Sequence, residues 1–225
     1  MTARIDTVFV DGGLEITRLV TSENKIIVPS TMEGLPVVSI GAAFLRDSFG
    51  GGNRTLVVPS SVVRASPEAL YSTAGMKLIS YLGDFDTFNS FKWSISTDCQ
   101  VMTGDGFTFQ FLNGYPMCFP EFDDAILTSH QRISEATVMA RLSNPVHLTD
   151  ENREKYVQYM RSRTVPMAEH SIIENDINTL KNIIDTKLLS IDDLHSLLES
   201  SVRAGRTSST SVIMTALNDI HHAEE

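Results

Sequence analysis

Residues 25–30, Lys25-Ile26-Ile27-Val28-Pro29-Ser30, return almost unchanged as Thr55-Leu56-Val57-Val58-Pro59-Ser60. Each copy opens on a short aliphatic run and closes on Pro-Ser, the pattern of a brief strand stopped by a residue that cannot extend a ladder. The segment that follows repeats as well: Val37-Val38-Ser39-Ile40 comes back as Val62-Val63-Arg64-Ala65, and a third, degenerate copy lies at Met76–Gly83. The step from Ile26 to Leu56 is seven positions longer than the step from Leu56 to Ile79. Most of the surplus sits in Glu33-Gly34-Leu35-Pro36 and in the glycine run Gly50–Gly52. A period in the twenties marks a solenoid, whose turns bury their apolar edges only against neighbouring turns.

The register follows from alternation along a strand. Ile26/Val28, Leu56/Val58 and Ile79/Tyr81 are equivalent and should stack inside. Lys25, Ile27, Thr55, Val57, Leu78 and Ser80 then face outward, with Ile27, Val57 and Leu78 as an apolar centre. A solvated sheet does not need such a patch, so these six residues form the candidate partner-binding face. Either a partner (another protein or a second copy) covers it, or the second half of the chain does.

The texture changes near residue 120. Before it, short apolar runs at Val8–Val10, Lys25–Val28, Val37–Ile40, Thr55–Val58, Lys77–Leu82 and Phe107–Leu112 alternate with Gly, Pro, Ser and Asn. After it, apolar residues recur at three and four, as in Tyr156-Tyr159-Met160 and Leu180-Ile183-Ile184, which are helix faces. Thr149, Ser190 with Asp193 behind it, and Ser208 are the expected N-caps, and Gly205 the expected stop. Ile177, Leu180, Ile183 and Ile184 are echoed by Thr210, Ile213, Ala216 and Leu217, each at the same offset along the chain. The expected fold is therefore α+β, a short solenoid over 1–118 followed by helical hairpins over 119–225. So few turns expose both ends of a sheet, which must be covered to block edge pairing.

Val28-Pro29-Ser30, then Gly34-Leu35-Pro36-Val37-Val38-Ser39-Ile40-Gly41, Ala43-Phe44 and Val58-Pro59-Ser60-Ser61-Val62, resemble the BspA-like leucine-rich repeats of bacteria. The resemblance covers about residues 8–91. It implies that Phe9–Thr17, with the turn Asp11-Gly12-Gly13, is an N-terminal hairpin cap. The offset from Ile177 to Thr210 is the ankyrin spacing, and it makes residues 150–222 resemble an ankyrin-like helical tail. Both resemblances imply a bacterial protein-interaction module. Because many proteins with such repeats are exported, a cell-surface adhesin or host-binding module is the alternative they imply.

Composition narrows the partners. The net charge is −10, with 11 acids against 8 bases in residues 1–118 and 17 against 10 in residues 119–225. That balance disfavours nucleic acid and an anionic membrane surface, both of which need a positive footprint. No basic start precedes an apolar leader, and no run of about 18 apolar residues occurs. A cytoplasmic protein is expected, with Cys99 and Cys118 as buried, reduced thiols.

Four motifs are weighed for chemistry. Gly50-Gly51-Gly52-Asn53 invites a phosphate cradle, but Arg54-Thr55 leads into a strand where a lysine opening a helix is required. Ser22-Glu23-Asn24-Lys25 matches a nucleophilic Ser-x-x-Lys, the basis of a hydrolase reading, yet here Lys25 begins a strand. His221-His222 near Glu224-Glu225 falls short of the three or four converging ligands of a metal site, and His130, His147, His170 and His195 are isolated. Glu121, Asp123 and Asp124 follow Asn113-Gly114 and two prolines and read as a structural joint, a loop between the halves. The expectation is a non-catalytic scaffold without cofactor or metal, whose partner is a protein and which can self-associate.

Overall fold

The computed structural model describes residues 3–71, 73–129, 133–161 and 163–223, and the chain divides into two compact units, Met1–Thr128 and Ser129–Glu225.

In the first unit, β1 (Arg4–Val10) and β2 (Gly13–Val20) form the expected hairpin. Gly13 is required at its turn: φ is +155°, and a Cβ there would stand 2.2 Å from the Pro36 carbonyl oxygen. Downstream lie β3 (Lys25–Ile27), β4 (Thr31–Met32) and β5 (Leu35–Ile40). Strand β2 pairs in parallel with β5, on which β4 folds back. After β6 (Arg54–Val58), β7 (Arg64–Ala65) returns to pair in parallel with β5. The chain thus crosses between this sheet and a second one. The second sheet runs β3, β6, β8 (Met76–Tyr81) and β9 (Cys99–Thr103), all parallel, and ends on antiparallel β10 (Thr108–Phe111). A third side is tied by Leu19 N–H donating to the Phe44 carbonyl at 2.6 Å and Ala43 N–H to that of Glu68 at 2.9 Å. The result is a β-solenoid of about four turns.

The inward columns have the register that alternation demands. Ile26 pairs with Leu56, Leu56 with Ile79, and Ile79 with Val101, and all four are buried. In the neighbouring column, Val58 pairs with Tyr81, whose buried hydroxyl donates to the Val62 carbonyl at 2.9 Å. A buried phenol needs such an acceptor, and the adjacent turn supplies it. Strand β9 is a further turn of the same coil, since Val101 follows Ile79 at nearly the interval that separates Ile79 from Leu56.

An aromatic plug closes the far end. Asp84 caps α1 (Phe85–Ser90) by accepting from Thr87 N–H at 2.8 Å. The helix directs Phe85 and Phe88 inward, where the Phe85 ring stacks on Phe107 with centroids 3.8 Å apart. Trp93 is buried among Phe88 and Phe91, its indole N–H donating to the Ser66 carbonyl at 3.1 Å. Phe119 and Phe122 pack edge-on against Phe109, both with centroids at 5.3 Å. Phe122 belongs to α2 (Glu121–Thr128). This packing is why α2 sits with the strands, and why the division falls after Thr128 and not after Cys118.

The second unit holds α3 (Glu135–Ser143), α4 (Asp150–Arg161), α5 (Thr164–Glu174), α6 (Ile177–Asp185), α7 (Ile191–Arg203) and α8 (Thr207–Ala223). Ser134 caps α3, and Thr149 caps α4 by accepting from Asn152 N–H at 3.2 Å. Ser190 and Asp193 make a full capping box on α7. Ser208 is no cap; it is the second residue of α8, because the chain re-enters the helix at once after the Gly205-Arg206 turn. Buried Tyr156 and Met160 mark the inner face of α4.

Helices α5–α6 and α7–α8 are paired hairpins, and α5 also packs on α7 and α6 on α8. Both first helices end in the same way. Asn175 and Gly205 adopt left-handed φ of +58° and +67°, and Asp176 and Arg206 N–H groups donate back to the Ser171 and Ser201 carbonyls, each at 2.9 Å. These matched stops set the repeat by the interval from Asn175 to Gly205, so Ile183 corresponds to Ile213 and Leu180 to Thr210. The echo of Ile177 in Thr210 superposes the same helix face three positions further on, since apolar positions three apart align at either offset. Among the described residues, no helix is long and apolar enough to cross a membrane.

Candidate functional site

The outward side chains of the second sheet fall in two adjacent rows fixed by strand register. One row runs Lys25, Thr55, Leu78, Gln100, Gln110, and the other Ile27, Val57, Ser80, Met102, Thr108. The structure thus brings all six sequence-derived face residues together, but in a different grouping. Leu78 stands in the polar row, and the apolar centre is Ile27, Val57 and Met102. Met102 is absent from the sequence-derived set because β9 lacks the Pro-Ser stop that marks the earlier turns. The interval from Ile79 to Val101 is the signal that finds it.

Ile27 is 59% exposed and Met102 46%, while Val57 and Leu78 are half-buried between their neighbours on the ladder. Lys25 is the one ionisable group among the residues of the two rows. Gln100 donates to Thr108 across the β9–β10 pair at 3.3 Å, so the polar members partly satisfy one another. On a chain of net charge −10 this is a weakly cationic, amphipathic strip. Its chemistry is that of contact: apolar area flanked by neutral donors and acceptors.

The glycine run forms a corner between turns. Gly51 N–H donates to the Asn24 side-chain oxygen at 3.0 Å, and strand β6 follows directly, so no helix terminus stands behind the loop. Beneath the corner lies the guanidinium of Arg54, buried, with Nη1 donating to the Ser48 carbonyl at 3.5 Å and with Nε and Nη2 lacking an acceptor among the described residues. A Cβ at Gly50 would come within 2.7 Å of Nε, so the absence of a side chain there makes room for the arginine. Burial depresses the Arg54 pKa.

Ser22 lies in the link before β3 and Lys25 on the strand, so the Ser-x-x-Lys pair is not mounted on a helical turn. The acidic cluster differs from expectation: Glu121, Asp123 and Asp124 are the first turn of α2, where carboxylates favour the helix N-terminus. Glu121 accepts from Lys92 Nζ at 2.8 Å, and that bond holds its carboxyl below the ordinary range. Burial pushes both thiols, Cys99 and Cys118, up to about 12, and both are free. His147 sits in a turn and His170, His195, His221 and His222 are exposed on helices. Among the described residues no three His, Cys, Asp or Glu side chains are placed to hold a metal ion. His130, Glu224 and Glu225 lie outside the described residues. Comparison with protein-family models, curated proteins and solved structures gave no match to this chain.

Proposed function

We propose that this chain is a non-catalytic scaffold that binds a protein partner on the outer face of the β3-β6-β8-β9-β10 sheet. The observation that carries the reading is the exposed apolar row Ile27–Val57–Met102, set by strand register and bordered by neutral polar side chains. Large apolar groups held outward on a rigid ladder are what an interface core requires, and a polar rim completes it. A solenoid suits this task because inward positions maintain the coil while outward ones are free to be shaped by a partner. The resemblance of residues 26–70 to BspA-like bacterial repeats supports the same reading, and the paired helices resemble a second interaction module. We assign the protein to the cytoplasm of a bacterial cell on the strength of the sequence.

The test is affinity capture from the native cell with the wild-type chain and with Ile27→Ser/Val57→Ser/Met102→Ser. The triple variant should lose the captured protein while keeping its urea midpoint, since outward positions tolerate polar groups. A partner retained by the triple variant would remove the sheet face from the reading. Recovery of the native protein from the culture medium would favour an adhesin.

A further inference from the structure

We infer that the chain self-associates through the outer side of the α7–α8 hairpin, onto which the same hairpin of a second copy packs about a two-fold axis. This rests on the helical unit alone and is independent of the sheet face.

Helix α7 carries two stripes. Leu194, Leu197 and Ser201 are buried against the rest of the unit. Ile191, His195, Leu198 and Val202, spaced four, three and four, lie on another side. Helix α8 repeats the arrangement, with Ile213 buried and Thr210, Met214, Leu217 and His221 at the same spacings. Six of these eight side chains line an open groove of about 280 Å³ running between the two helices. Val202 is 62% exposed beside it, and Met214 within it 51%.

The preceding hairpin shows what such a face is for. At the step set by Asn175 and Gly205, Leu198, Val202 and Thr210 correspond to Ala168, Ile172 and Leu180. Those three are buried, Ile172 to 1% exposure, because α7 packs on α5 and α8 on α6. What covers this face one repeat earlier is a helical hairpin. The end of an array that is meant to meet water has a polar outer side, whereas α7–α8 presents the apolar side of an internal repeat. A second copy offers the same pair of 4-3-4 stripes, and the same patch on both partners closes as an isologous dimer. Four positions on each helix are far fewer than the roughly 20–30 residues a side of a standard interface, so the dissociation constant should be about 10–100 µM. With −10 on each chain, added salt should tighten it by screening.

Sedimentation equilibrium of the full chain, from about 5 to about 500 µM so as to bracket that constant, is the test. A reversible monomer–dimer equilibrium that stops at twice 24.9 kDa is expected. Val202→Asp/Met214→Asp should remain monomeric with unaltered far-UV circular dichroism, and Ile27→Ser/Val57→Ser/Met102→Ser should dimerise like the wild type. If the double variant loses helix, Met214→Lys alone should raise the dissociation constant at least about tenfold, the loss of one well-buried contact. A wild-type monomer throughout the range, a dimer that survives Val202→Asp/Met214→Asp, loss of the dimer in the sheet variant, or an open-ended ladder would each overturn the proposal.

Discussion

Leu56 stands at the middle of a column, with Ile26 and Ile79 as register partners on its two sides and Val101 beyond. All are buried, and Leu56 is fully enclosed. Leu56→Ala removes three carbons, worth about 2.4 kcal/mol at about 0.8 kcal/mol for each buried methylene. The backbone on both sides is held by parallel ladders, so the column cannot collapse into the space, and a cavity contribution of about 1–2 kcal/mol adds to the transfer loss. The expected cost is about 3–4.5 kcal/mol. Thr55→Ala, one residue away and outward, should cost less than about 0.5 kcal/mol. Trp93 is the only tryptophan and is buried in the plug of the strand unit, so its fluorescence in urea follows that unit alone, while far-UV circular dichroism also reports the helices. A Leu56→Ala midpoint shift equivalent to less than about 1 kcal/mol, or a Thr55→Ala shift as large as that of Leu56→Ala, would refute the columnar packing.

Gly13→Ala should destabilise the strand unit by at least about 2 kcal/mol because its Cβ meets the Pro36 oxygen at 2.2 Å, whereas Gly34→Ala, strained in φ but with open space around it, should cost about 1 kcal/mol; equal urea midpoints would contradict the close approach. Arg54→Met should be neutral or stabilising by up to about 3 kcal/mol, since it removes a buried cation with two unpaired nitrogens; a loss above about 1 kcal/mol would show that the guanidinium is satisfied. With burial holding Cys99 and Cys118 at about 12, a disulfide reagent at pH 8 should label neither thiol in the native protein and both after denaturation; rapid native labelling of either would contradict their enclosure. Ser190→Ala should cost about 0.5–2 kcal/mol by far-UV circular dichroism. The Ser190 hydroxyl and amide hold the Asp193 carboxyl below its ordinary 3.8, so that part of the cap is present above this pH and is lost as pH falls through the depressed value; a deficit that grew in acid would have the wrong sign.

The coil is legible in the sequence because two of its turns are near-copies. Ile26/Val28 against Leu56/Val58 fixes both the period and the inward face, and the parallel pairing of β3, β6 and β8 has that register. The turn at β9 is harder to see. Its inward residues are Cys99, Val101 and Thr103, short side chains without the Pro-Ser stop, because the antiparallel partner β10 and the phenylalanines supply the bulk there. For the same reason Glu121-Phe122-Asp123-Asp124 reads as a polar loop until Phe122 is placed in the plug, a contact made between elements far apart in sequence. In the helical unit, Ser190-x-x-Asp193 and Gly205 mark their boundaries through local chemistry. The Ile177–Thr210 offset overshoots the true repeat by three positions because helix periodicity alone does not separate shifts of three. Of the candidate face, the six outward residues are legible from alternation, and Met102 is hidden together with β9.

The first winding of the coil, Ile26 to Leu56, takes seven more positions than the next, Leu56 to Ile79, and the one after, Ile79 to Val101, is shorter again, yet the columns stay aligned. The surplus is stored at the corners, in the small β4–β5 fold-back and in the glycine bend that overlies Arg54. Pitch is therefore decoupled from tape length: each winding is gauged by its neighbour's ladder, and slack is taken up where no ladder exists. A coil built in this way can acquire or shed several residues at those corners and keep its core, so its outer surface can be recut over evolutionary time without renegotiating the inside.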